Sequence, residues 1–534
     1  MKKTETLFVG GILILAIVIV FAGICRTDKN TNFHGVQETK YGAFLAAQHA
    51  IYVNDFDTAA EYSVMLDGND GNVVKNVKFM TDFLSGRLSE NASVLAKESG
   101  TPSRLVYDAY LVEQGDWAKL YTRHKNDDSA LVAPLRIWAS IGEKRRTEAL
   151  KFVDSLQTNA SWKSFVRGQI YVETGNVEKA TAEFSNVLVD FMNINDYLYI
   201  MSFYRHHGLT DLADKLFADF TSRPGGMFML DYDNIPDWSN FAGIKNALAF
   251  SLIQNVSHTQ VMMFSDLSIL LLRFAQIITP QENDKNAINY YIGQYFFNNN
   301  GDYSSYFAKI DSKSPFYLFA TMRDCENSGN VKKLQRLLRT YPLFVPAMNK
   351  LVAYNIASGD KSSALKIINR ALDNEKLSDV SHAFLLKSRA QIYFVFDDFD
   401  NAQSDIHAAA EVLNVDPEIL ALQAKIWASQ NRELDTAYEY AMMLVQRNPS
   451  DVFAWDVLGR VVAVREGDDA ALELIERVGE IAKDCSSLFE NLGDLYARSG
   501  NVQMAQDAYM RAIDLSDDGL VVVPKIQRKI RKLK

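Results

Sequence analysis

At 534 residues the chain is too long for one compact core, so it is either several domains or one extended array. Its 66 acidic and 56 basic residues give a formal charge of −10, and with 48% hydrophobic and 23% charged residues it is not a disordered chain; no concentrated basic patch is present to receive nucleic acid. Cys25, Cys325 and Cys485 match no zinc spacing and no paired framework, so stability must come from packing, and sparse proline leaves long stretches free to be helical.

After a flank at 1–6 holding Lys2 and Lys3 comes an uncharged apolar run, 7–25, about as long as a bilayer core requires at ~1.5 Å of helical rise per residue. It predicts a transmembrane anchor. A cleaved signal stays open because Val20 and Ala22 could form its site. Cys25 follows Ile24 where a lipoprotein signal needs a small residue, which argues against lipidation. Lys2, Lys3 and the amino terminus, set against Arg26 and Lys29 with Asp28 beside them, favour the amino terminus inside. The expectation is a single-pass protein of the bacterial inner membrane, with a linker at 26–40 and a periplasmic body.

The body shows pairs of amphipathic helices. FLAAQHAIYVNDFDTAAEYSV places Ala47, Ile51, Ala60 and Val64 at helical spacing on either side of a turn. DGNDGNVV, at 67–74, reads as a turn: its glycine is fifth, not sixth, and the closing glutamate of a calcium loop is missing. RGQIYVETGNVEKATAEF gives Gly168, Tyr171, Gly175, Ala180 and Phe184, and HHGLTDLADKLF gives Gly208, Ala213 and Phe217. At 221–242, Pro224, Gly225, Gly226 and Pro236 break the periodicity, yet Phe228, Tyr232, Trp238 and Phe241 are too apolar for a solvated linker. This segment predicts a packed connector, or an internal occupant of a groove. The apolar run at 261–278 contains Asp266 and Arg273, each costing about 2.5–3.5 kcal/mol in lipid, and therefore reads as a core helix.

Further pairs follow at Gly359, Ala364 and Ala371; at Ala390, Tyr393, Ala402, Ile406 and Ala409; at Ala437 with Pro449 closing it; and at Leu458, Gly459 and Ala471. The clearest pair comes last, NLGDLYARSGNVQMAQDAYMRAI, with Gly493, Tyr496, Gly500, Ala505, Tyr509 and Ala512. Small residues at Gly493 and Ala505 let two helices approach closely, and the tyrosines fill the volume around that contact. The basic end, 516–534, reads as a capping helix with a solvated face.

Spaced at about 34 residues, these pairs resemble the tetratricopeptide repeat (TPR). The resemblance implies an all-α, right-handed α-solenoid of antiparallel helix pairs, with arrays at 41–220 and 243–515, behind one N-terminal transmembrane helix. FLAAQHA (44–50), GIKNALAF (243–250) and DLSILLLRFAQI (266–277) also resemble segments of a membrane-anchored alphaproteobacterial TPR family of unassigned function. That family has a glutamate where this chain has Asn246.

No paired-histidine zinc helix, phosphate loop or Gly-x-Ser-x-Gly elbow occurs, and His206 and His207 point about 100° apart on a helix, so neither an enzyme nor a cofactor is expected. In TPR proteins the first helix of each repeat lines a concave face that receives an extended peptide or a helix. The resemblance thus nominates Trp162, Phe165 and Gln169, then Phe384, Lys387 and Gln391, then Glu490, Asp494 and Arg498 as partner-binding. Asp494 stands where a carboxylate clamp needs asparagine, which argues against that clamp. The expected function is a membrane-anchored scaffold binding protein partners in cell-envelope assembly or maintenance. The alternative is a secreted or lipoprotein-like module for an envelope polymer or glycan.

Overall fold

The computed structural model describes residues 40–66, 72–97, 101–127, 129, 132–221, 235–258, 266–280, 285–299, 301–375, 377–414 and 416–533. The 7–25 run, most of the 67–74 turn and 222–234 of the connector lie outside these residues. Among the described residues the regular structure is helical, and no helix is long and apolar enough to cross a membrane. The chain divides into two compact units at Thr81/Asp82.

In the first unit, α1 (Lys40–Tyr52) and α2 (Phe56–Ser63) form a hairpin, and α3 (Asn72–Leu84) leads into the second. Ala47, Ala59 and Ala60 are buried where α1 and α2 meet, and Asp55 caps α2 by accepting from the Thr58 amide.

The second unit begins with four hairpins. These are α4 (Thr101–Gln114) with α5 (Trp117–His124), α6 (Ala133–Gly142) with α7 (Arg146–Ser155), α8 (Ala160–Glu173) with α9 (Val177–Ser185), and α10 (Ile194–His206) with α11 (Thr210–Thr221). A further pair, α12 (Ile244–His258) and α13 (Asp266–Ile278), packs against α6 and α4 respectively. Trp138 of α6 donates to Ser251 Oγ of α12 at 2.8 Å, and Phe165 of α8 stacks on Phe250 at 5.6 Å between centroids. Along α13 the side chains from Ser268 to Ala275 are buried, including Arg273, whose guanidinium donates to Gln276 Oε1 and to the Tyr306 hydroxyl at 2.7 and 2.6 Å. The described part of the 261–278 run is thus a core helix.

Asp196 of α10 accepts from Gln254 Nε2 and from His258 Nε2 of α12, at 2.8 and 2.7 Å. Burial favours neutral His258, but the Asp196 carboxylate outweighs it and holds the imidazole above its ordinary range. The pair's contribution to stability is therefore complete below the unfolded histidine value near ~6.5 and is lost as pH rises through the higher folded value. With His258 about one-third exposed, the effect is small. Titration of the His258 ring by NMR is expected to show a raised midpoint that Asp196→Asn abolishes; an unchanged midpoint would contradict the assignment.

The chain continues through α14 (Asn286–Asn298), the short α15 (Ser304–Phe307), and α16 (Pro315–Ser328) with α17 (Val331–Thr340). Five regular hairpins follow. They are α18 (Val345–Ser358) with α19 (Lys361–Leu372), α20 (Asp379–Val395) with α21 (Phe399–Leu413), α22 (Pro417–Ser429) with α23 (Leu434–Arg447), α24 (Val452–Arg465) with α25 (Asp468–Ile481), and α26 (Ser486–Arg498) with α27 (Val502–Asp514). A terminal helix, α28 (Val523–Lys532), ends the chain.

Two of the hairpin turns share one chemistry. Gly175 and Gly500 end the first helix at φ of +75° and +80°, where a side chain would be strained, and Asn176 and Asn501 then cap the second helix through the Lys179 and Met504 amides. Each first helix carries a small residue under the second. A Cβ built on Gly168, Gly459 or Gly493 would fall within 3.0 Å of the Phe184, Ile475 or Tyr509 side chain. Ala180, Ala390, Ala402, Ala505 and Ala512 are fully buried in the same contacts.

Candidate partner-binding groove

The first helices of the late hairpins pack in succession: α20 on α22, α22 on α24, and α24 on α26. Their common face bounds a cavity of about 730 Å³ that also touches α18 and the turn after α27. Phe384, Lys387 and Gln391, one helical turn apart on α20, all line it. Lys387 is nearly buried, lies 4.7 Å from the Phe384 ring, and pairs with Asp416 and Glu418 at 3.0 and 2.8 Å. The Gln391 amide nitrogen is buried without a hydrogen-bond partner, a cost of about 1–3 kcal/mol.

Among the charged lining residues carboxylates predominate, with Glu418, Asp451, Asp484 and Asp518 set against Lys387. Cys485 also borders the cavity, and burial pushes its thiol up to about 12, which makes it a poor nucleophile. Behind the groove wall lies a buried charge network. Asp456 accepts from Arg460 Nε at 3.0 Å, Ser487 Oγ at 2.6 Å and Asn491 Nδ2 at 3.2 Å, with Lys425 Nζ at 3.6 Å. Burial alone would raise the Asp456 carboxyl, but Arg460 and Lys425 outweigh it and hold it below the usual range.

The other two nominated trios do not face an open groove. Phe165 and Gln169 are 1% and 0% exposed, and Phe250 of α12 stacks on Phe165; Trp162 is half-buried. Glu490 and Asp494 are covered by α28, whose Lys529 pairs with them at 2.8 and 2.7 Å. Arg498 is engaged by Asp468 at 2.7 Å. The basic terminal helix is accordingly not just a solvated cap: Ile526 is fully buried, as is Val521 just ahead of the helix.

The other expected features fall at these places. His206 and His207 end α10, exposed and partly exposed. In the described part of the connector, Trp238 is buried and packs on Tyr199 and Phe203, while Phe241 packs on Tyr199 and Phe250. Tyr171, Tyr393 and Tyr496 flank their turns, and the Tyr496 hydroxyl donates to Glu476 at 2.7 Å. Two signals went unread in the sequence: the Gly-Asn and Gly-Asp dipeptides marking turn and cap together, and the apolar Val521, Val522 and Ile526 within the basic end.

Residues 486–518 match the model of the tetratricopeptide repeat. No curated protein matches the sequence. Among solved structures, a tetratricopeptide repeat protein from Parabacteroides merdae aligns at 12% identity over 54% of this chain and 98% of its own, with a TM-score of 0.32. The APC/C hetero-tetramer Cut9–Hcn1 aligns at 12% identity over 90% and 95%, with a TM-score of 0.32, and yeast Tom70 at 12% over 92% and 97%, with a TM-score of 0.24. The hairpin at 486–518 thus carries a tetratricopeptide repeat, and several earlier hairpins reuse its small-residue contact and its turn.

Proposed function

We propose that the chain is a scaffold that holds a protein segment in the groove of α18–α26, at a membrane to which residues 7–25 anchor it. The observation that carries this reading is the cavity lined by Phe384, Lys387 and Gln391, an aromatic anchor beside an unpartnered amide donor. Its excess of carboxylates suits a partner bearing lysine or arginine, and disfavours an anionic envelope polymer. The uncharged run and the flanking lysines support placement in the bacterial inner membrane with the helical body in the periplasm. The resemblance of the leader and first helix to an alphaproteobacterial family supports a role in the cell envelope.

A photo-crosslinking side chain at Ser388, which lines the cavity, is expected to capture a polypeptide from the membrane fraction, while one at Trp162 captures none. Capture of glycan without protein, or recovery of the full chain only in the soluble fraction, would overturn the proposal.

A further inference from the structure

The chain's last residues do not stop at the last hairpin. From α27 they turn at Ser516–Asp518, cross to α18, and return as α28 over α26 and α27. Asp518 accepts from the Ser486 amide and hydroxyl at 2.8 and 2.6 Å, fixing the departure point. A Cβ on Gly519 would fall within 3.0 Å of Ala353, so the strand of chain is pressed against the α18 backbone. Val522 enters the apolar core shared by α16–α20, whereas Val521 and Ile526 enter the core of α22–α27. Lys525 then reaches Asp397, in the α20–α21 turn, at 2.6 Å, and Lys529 reaches Glu490 and Asp494. A helix that merely capped the final repeat would need only its contacts with α26 and α27.

Two features show what this seat recognises. Its acceptors are carboxylates, Asp397 in the α20–α21 turn and Glu490 and Asp494 on α26, and its donors are lysines four apart on one face of a helix whose Ile526 is the apolar anchor. Asp397 adds a second. Its carboxylate, at the turn position where Gly175, Gly359 and Gly500 stand in other hairpins, is met by Lys525 from 128 residues away.

We infer that the inner face of the C-terminal hairpins is a receptor for basic amphipathic helices carrying paired lysines around an aliphatic anchor, and that residues 519–533 are its built-in occupant. Gly519 and Leu520, where the segment begins, border the cavity, so a partner of this class that takes the α28 seat enters by displacing the segment. The inference rests on the groove being the binding surface, and it supplies that surface with a ligand class and a gate.

The test uses the full chain and a labelled synthetic peptide of residues 519–534 as probe, followed by fluorescence anisotropy. Wild type, with its seat filled, is expected to bind the peptide at least tenfold more weakly than Ile526→Glu, whose own tail cannot dock. Lys525→Ala with Lys529→Ala in the chain, which removes the tail's own ion pairs and leaves Asp397, Glu490 and Asp494 in place, is expected to bind the peptide more tightly than wild type. A peptide with both lysines changed to glutamate should bind none of these proteins. Equal affinity for wild type and the double lysine variant, or equal binding of the glutamate peptide, would overturn the inference. If Ile526→Glu does not fold, the double lysine variant alone decides. Failure of the Ser388 crosslink would count against the groove as the natural partner's site while leaving the peptide result standing, so the two readings fail separately.

Discussion

Asp456→Ala is expected to destabilise the chain by about 3–5 kcal/mol, the usual cost of deleting one side of a buried ion pair. The reason lies in what remains. Lys425 and Asp456 are 1% and 0% exposed as side chains and Arg460 22%, so the substitution leaves two cations side by side, one of them almost cut off from water. Ser487 and Asn491 lose their acceptor at the same time. Asp456→Asn preserves the shape and part of the hydrogen bonding but not the charge, and should fall between wild type and alanine. Urea unfolding followed by circular dichroism reads the difference, and a loss below about 1 kcal/mol would show that the cations find other partners. Because the Asp456 carboxyl sits below its unfolded value in the fold, its contribution is present above about pH 4 and is lost as acid titrates it. Wild type should therefore lose stability on acidification more steeply than Asp456→Asn.

Gly493→Leu is the second large effect, with an expected cost of about 3 kcal/mol, at the upper end of overpacking penalties. Even the first added carbon would fall within 3.0 Å of the Tyr509 ring. That ring is 2% exposed, and its hydroxyl donates to Asp494 at 2.6 Å, so it cannot swing aside without breaking a second contact. Leucine is a better helix former than glycine by up to about 1 kcal/mol, so propensity predicts stabilisation and packing predicts the reverse. Thermal unfolding decides between them. A melting temperature at or above wild type would mean that the two helices do not rely on close approach at this point.

The hairpins were legible because their signals are local. A glycine beneath an aromatic ring, an alanine twelve residues later and a glycine at the turn lie within one repeat, and Gly168, Gly493, Ala180 and Ala505 occupy the places that spacing assigned them. The groove was only partly legible, for a reason of the same kind. Repeat periodicity says which helix of a pair faces inward, but not whether another element already lies there. Phe384, Lys387 and Gln391 line a cavity, whereas α12 covers Phe165, and α28 covers Glu490 and Asp494. Both covering elements come from elsewhere in the chain, and nothing in the covered helices announces them. The terminal helix did carry a hint: its valines and Ile526 are too apolar for a solvated face, but the run of lysines and arginines around them dominates the reading.

The Trp138–Ser251 hydrogen bond joins residues 113 positions apart, and the Lys525–Asp397 pair spans 128. In a simple repeat array each unit touches only its neighbours, so folding can start anywhere and spread, and its rate is set by contacts close in sequence. Here the early hairpins cannot shed their last exposed apolar surface until α12 and α13 have left the ribosome, and the late hairpins wait for α28. The contact order is raised in both halves of the unit, which slows folding and ties distant repeats into a common unfolding event.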